Sequence, residues 1–143
     1  MKRVVLDTSV VVKWYSEEKD SKLARQLILD LKEEKIEIYL PELVKYELGN
    51  ALLKGKNLPV KTGQRVLEDF CSLPFNFVKE EGKLAVKNYQ IANKLGITYY
   101  DACFIGVAKK IGAILISANP RHQGKKYPGL KILSLKEYNE KND

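Results

Sequence analysis

Short apolar runs alternate with longer stretches of helical periodicity along most of the chain, and no other feature limits its possible folds more. Arg3-Val4-Val5-Leu6, Phe75-Asn76-Phe77-Val78, Ala113-Ile114-Leu115-Ile116 and Lys131-Ile132-Leu133 read as short strands, and Ile36 to Leu40 alternates as a strand does. Between them, residues 20–34 carry Leu23, Leu27, Ile28 and Leu31 on one helical face. Pro41 is expected to open a helix that runs to about Lys54 and closes at Gly55. Residues 60–71 and 82–95 also read as helices, the second ending at Gly96. Thr98 to Lys110 is an almost wholly apolar helix that stops at Gly112. Strands separated by helices imply right-handed crossovers and a mostly parallel sheet covered on both faces. The expected class is therefore α/β. At 143 residues the chain fits one domain, 1–143, with no repeat or linker to divide it.

Charge narrows the class of partner. The formal net charge is +7, and it is unevenly spread. Residues 1–47 hold 9 basic and 10 acidic side chains, so the whole surplus lies beyond them. Residues 48–67 and 102–136 contain Lys and Arg but no acid. Such segments attract polyanions, nucleic acid above all, although a lysine-rich solvated surface has the same composition. A single histidine, His122, excludes zinc sites of the Cys/His kind and any Ser/His/Asp arrangement of substance. No phosphate loop or GxGxxG motif is present. Cys71 and Cys103 lack CxxC spacing; both are expected to be small buried hydrophobes, as suits a reducing compartment. No targeting segment is visible and no window has the roughly 18 apolar residues of a membrane span, so the expected location is cytoplasmic, away from membranes. Trp14 and Tyr15 are expected to cover the core or an interface.

In a parallel α/β sheet, ligands bind beyond the carboxyl ends of the strands. Asp7 directly follows the first strand, where it reads equally as a helix N-cap. Glu47 falls between Leu43 and Ala51 on a helical wheel, inside the apolar arc, so it needs a salt-bridge partner or a metal. Asn50 lies one turn further on. Asp101 fits a cap pattern with Thr98, yet its i+3 and i+4 neighbours, Phe104 and Ile105, turn its face inward. Oxygen-only clusters of this kind select hard cations such as Mg²⁺ or Mn²⁺, which commonly work on phosphates.

Four short motifs in order resemble those of PIN-domain ribonucleases, in particular the VapC-type toxins of toxin–antitoxin modules. They are Val5-Leu6-Asp7-Thr8-Ser9, Pro41 through Glu47 to Asn50-Ala51-Leu52, Tyr100-Asp101-Ala102, and Leu115-Ile116-Ser117-Ala118-Asn119. The resemblance spans roughly residues 3–135. It implies a three-layer α/β/α sandwich with a short, mostly parallel central sheet. It further implies a metal-dependent endoribonuclease in which Asp7, Glu47 and Asp101 hold one or two Mg²⁺ or Mn²⁺ ions and a metal-activated water attacks the RNA. Ser9 and Ser117, with Thr8 and Asn50 beside them, would orient those ligands. Arg121, Lys125 and Lys126, just after the fourth motif, would contact the RNA backbone. A homodimer and a small VapB-like antitoxin would be the partners. One position departs from the pattern: Asn119 stands where the family has an acid, so it would ligate metal only through a neutral oxygen. The alternative is a catalytically weakened module that binds RNA or a partner.

Overall fold

The computed structural model describes residues 1–119 and 126–141. Five strands form one sheet: β1 Lys2–Leu6, β2 Ile36–Pro41, β3 Asn76–Val78, β4 Ile114–Ile116 and β5 Ile132–Leu133. Their order is β3-β2-β1-β4-β5, and every neighbouring pair is parallel. The helices among the described residues are α1 Thr8–Lys13, α2 Ser21–Lys32, α3 Leu43–Asn50, α4 Val60–Ser72, α5 Gly82–Leu95, α6 Tyr99–Ile111 and α7 Leu135–Lys141. Beyond Asn50, α3 widens into a π-helical turn over Ala51–Gly55.

The strand order dictates the layers. From β1 to β3 the chain steps one way across the sheet; from β3 to β5 it steps back past β1. Right-handed crossovers then place α1 to α4 on one face and α5 with α6 on the other. The packing agrees: α2 and α3 lie against β2 and α1, while α6 lies against β1, β2, β4 and α5. The fold is thus an α/β/α sandwich. β1 is its central strand, and Val4, Val5 and Leu6 are fully buried, as a run covered on both faces requires. Residues 102–108 of α6 are all buried, which explains why that helix reads as apolar all round. Gly96 and Gly112 end α5 and α6 at φ +65° and +67°, a left-handed turn that glycine makes without strain.

Trp14 belongs to the core. Its indole stacks on Phe75 with ring centres 5.8 Å apart, and its Nε1 donates to the Ala24 carbonyl at 2.7 Å.

Two local expectations are corrected. Pro41 does not open α3 but closes β2, two residues before the helix begins. There β2 pairs only with β3, because the β1 ladder has ended at Tyr39, so a residue without an N–H fits at the end of the strand. Cys71 is exposed, whereas Cys103 is buried. Its neighbour Phe70 is the fully buried residue of α4, and one residue of helical rotation carries Cys71 out of that stripe.

Candidate active site

The switch in strand order lies between β1 and β4, and their carboxyl ends define the crevice where such sheets bind ligands. Asp7 leaves β1 there. Its backbone N–H donates to the Ile116 carbonyl at 2.9 Å, tying the ends of the two strands together. Its carboxylate is the N-cap of α1: Oδ2 accepts the Ser9 N–H at 3.0 Å and the Ser9 hydroxyl at 2.5 Å. Ser9 Oγ in turn accepts the Ala118 N–H at 3.0 Å. One serine therefore locks an acid on β1 to the loop after β4. Asp7 is only 5 % exposed, so its two donors fix a group that would be costly to bury alone.

Glu47 comes from α3 on the neighbouring crossover. It is half-buried, beside the fully buried Val44 and Leu48. Thr8 Oγ1 donates to its Oε1 at 2.7 Å, so Glu47 is held by the residue next to Asp7. Asp101 lies in the first turn of α6, half-buried, and its N–H donates to the capping Thr98 Oγ1 at 3.0 Å. Phe104 and Ile105, one turn on, are both buried. Ser117 is fully buried at the end of β4, and its Oγ accepts the Asn119 N–H at 3.0 Å. Asn50 is exposed at the end of α3, and Lys126 is exposed as well. Arg121 and Lys125 lie outside the described residues.

The bonds form two groups on one stretch of chain, Asp7 with Ser9 and Ala118 and, through the intervening Thr8, Glu47, with Ser117 and Asn119 on the adjoining strand end. Among the described residues, no three His, Cys, Asp or Glu side chains are arranged as a closed cage for a metal ion. The donor set, all oxygen, nevertheless fits a hard divalent cation. Mg²⁺ keeps several waters and commonly takes only one or two carboxylates from a protein. Asp7 and Glu47, oxygen donors held by neighbouring hydroxyls, match that demand, while Asp101 stands apart from that network in the first turn of α6.

An acid outside the four motifs also stands at a strand end. Glu80 follows β3, and its carboxylate accepts Asn88 Nδ2 at 2.5 Å, Tyr99 O–H at 3.0 Å and Cys103 Sγ at 3.4 Å. Tyr99 and Cys103 sit on either side of Asp101 on α6, so Glu80 helps seat the helix that carries that acid. Its signal is its place just beyond an apolar run, the same one that marks Asp7. Burial first, and then the charge of Glu80, pushes the Cys103 thiol up to about 12; the charge of Glu47 adds to this. Burial and the Glu80 hydrogen bond likewise raise the Tyr99 phenol to about 12. At neutral pH the native protein should therefore alkylate at Cys71 and spare Cys103 until it unfolds. Peptide mass mapping after brief maleimide treatment checks this; equal labelling of the two thiols would contradict the packing of α6 on α5.

A PIN domain profile matches residues 4–126, and the chain belongs to the PIN domain family. It is 27% identical over 133 residues to Ribonuclease VapC3 of Pyrobaculum aerophilum, covering 90% of this chain and 97% of that one. Among solved structures, it superposes on PAE2754 from Pyrobaculum aerophilum with a TM-score of 0.72 at 20% identity, over 98% of this chain and 88% of that one. A toxin–antitoxin complex from Klebsiella pneumoniae gives a TM-score of 0.65 at 17% identity, over 89% and 94% of the two chains. These superpositions establish the shared fold.

Proposed function

We propose that the chain is a Mg²⁺- or Mn²⁺-dependent endoribonuclease of the VapC kind. The observation that carries this reading is the Ser9 lock, which holds the Asp7 carboxylate at the β1/β4 switch point while Thr8 holds Glu47 beside it. Similarity to a protein named as a ribonuclease supplies the substrate class. Asp7 and Glu47 would hold the cation, with Asp101 and Asn119 as the further ligands. When bound, the cation supplies a water of lowered pKa and neutralises charge on the leaving oxygen.

The protein's own part is orientation. Ser9 fixes the Asp7 carboxylate through Oδ2, and Thr8 fixes Glu47 through Oε1, so neither acid has to be ordered when substrate arrives. Ser117 holds the backbone of Asn119 in place on the adjoining strand. Arg121, Lys125 and Lys126 would neutralise RNA phosphates, in keeping with an acid-free stretch from 102 to 136. We place the protein in the cytoplasm, as a homodimer with a small VapB-like antitoxin as partner. The structural likeness to a toxin–antitoxin complex supports that partner. Among the described residues no helix is long and apolar enough to cross a membrane.

A second reading, a weakened module that binds RNA or a partner without cutting, is favoured by the neutral Asn119 and by the lack of a closed three-acid cage among the described residues. Calorimetric titration with Mn²⁺ separates the two. The nuclease reading predicts binding by the wild type, weakened roughly 10–100-fold in Ser9→Ala, the usual cost of losing an orienting partner. Absence of binding by the wild type would leave the weakened module.

A further inference from the structure

On the face of the sheet opposite α2 and α3, a cleft of about 660 Å³ opens between α5 and α6. Its walls are basic. Lys83 and Lys87 on α5 and Lys109 and Lys110 on α6 line it, and Glu81 is the one acid among the described lining residues. All four lysines are exposed, and none is in an ion pair among the described residues. The cleft is separate from the candidate acids. Neither Asp7, Glu47 nor Asp101 lines it, and Lys109 and Lys110 occupy the last turn of α6 whereas Asp101 is in its first.

The charge extends beyond the cleft along α5, which carries Lys83, Lys87 and Lys94 and no acid. At 100° per residue these three fall within about 40° of one another, so they form one row on the helix surface. All three are exposed, and at 1.5 Å per residue the row is about 16 Å long. Tyr127, a lining residue of the cleft, gathers two of the ammonium groups. Lys94 Nζ and Lys109 Nζ stand 5.9 Å and 5.2 Å from the centre of its ring. Lys109 also donates to the Pro128 carbonyl, which ties that turn to α6. Lys83 and Lys87, one turn apart, repel each other on the helix itself. An anion lying along the row relieves that repulsion.

Resting on the ribonuclease reading above, we propose that the α5–α6 cleft is a second RNA contact, away from the acids, where Lys83, Lys87, Lys94 and Lys110 hold backbone phosphates of single-stranded RNA flanking the cleaved bond. A row of about 16 Å is longer than one phosphate group, which favours a polymer over a free anion. Lysine is depleted at protein–protein interfaces, whereas nucleic-acid interfaces are strongly positive, which favours RNA over an acidic protein segment. Phosphate contacts carry no sequence information. The cleft would therefore add affinity for any RNA and leave the choice of bond to the acid site.

Fluorescence anisotropy with labelled single-stranded oligo(U), in EDTA so that no cleavage intervenes, tests this across a salt series. Lys83→Gln, Lys87→Gln and Lys110→Gln combined should reduce the slope of log K against log salt by about 2, since each single-strand phosphate contact contributes roughly 0.7. Lys109 is kept because it holds the Pro128 turn. Lys22→Gln with Lys32→Gln, exposed lysines of α2 on the opposite face, should leave the slope as in the wild type. An equal fall there would reduce the effect to net charge and overturn the proposal. So would labelled oligo(Glu) that loses binding in the triple variant while oligo(U) does not, the mark of an acidic-protein surface. If the triple variant binds oligo(U) as the wild type does, yet the wild type cuts RNA when Mg²⁺ or Mn²⁺ is supplied, the cleft is not an RNA contact and the nuclease reading stands without it. If the triple variant loses slope but the wild type cuts no RNA with either cation, the cleft stands and the nuclease reading fails.

Discussion

Replacing Asp7 by Asn is expected to reduce cation-dependent RNA cleavage by at least ~10²-fold while leaving the protein folded, since loss of a mere orienting partner already costs about 10–100-fold. The substitution keeps the shape of the side chain and its capping oxygen, so the Ser9 N–H can still be accepted and α1 retains its start. What disappears is the negative charge at the switch point. Asp101→Asn should behave similarly, because Thr98, not Asp101, caps α6, so the helix does not depend on that carboxylate to begin. Gel-resolved cleavage of an end-labelled RNA, read beside the far-ultraviolet circular dichroism of each variant, checks both. Cleavage at the wild-type rate in either variant would remove that acid from the mechanism.

The second large effect is on stability. A Cβ at residue 106 would lie 1.7 Å from Asn88 Oδ1 and 2.8 Å from its Cγ. Asn88 is fully buried on α5, and its amide is committed to Glu80, so it has little freedom to retreat. Its Oδ1 has no hydrogen-bond partner among the described residues, a sign of how tightly α5 and α6 meet there. Gly106→Ala should therefore destabilise the fold by about 1–3 kcal/mol, the usual cost of overpacking, even though alanine is the better helix former. For a domain of this size that corresponds to a fall in Tm of roughly 3–10 °C. Combining it with Asn88→Ala, which clears the space, should cost less than the two changes summed. Thermal melts of the single and double variants read this; an unchanged Tm for Gly106→Ala would mean that α5 and α6 are not in contact at this point.

Much of the architecture is legible because its signals are local. Apolar runs mark the strands, and Gly96 and Gly112 close their helices where the left-handed turns occur. The short α7 also carries a local signal: Ser134 and Glu137 form a reciprocal capping box, the Glu137 N–H donating to Ser134 Oγ and the Ser134 N–H to Glu137 Oε1, each at 3.1 Å. Its apolar content is too sparse for periodicity to reveal it. Pro41 shows the opposite failure, since a proline suits the end of a strand as well as the start of a helix, and only the register of β1 against β2 decides.

The site was partly readable for a related reason. Asp7 reads as a cap or as a functional acid, and the structure shows that one carboxylate serves as a cap while standing at the crevice. Its cap bond to Ser9 is local. The bonds that assemble the rest are not: Thr8 reaches Glu47 across 39 positions, and Ser9 reaches Ala118 across 109. No periodicity encodes such pairings; they follow from strand order. Glu80 has its strand-end position as a local signal, but its role is hidden for the same reason, because its partners on α5 and α6 come together only when those helices cross.

The most direct measurement of the central claim uses wild-type protein stripped with chelator, mixed with end-labelled cellular RNA, before and after Mg²⁺ or Mn²⁺ is returned, with Asp7→Asn beside it. A metal-activated water at the Asp7–Glu47 pair predicts no cleavage in chelator, cleavage on return of the cation, and none in the variant. Cleavage that proceeds in chelator, or that Asp7→Asn retains, would contradict it.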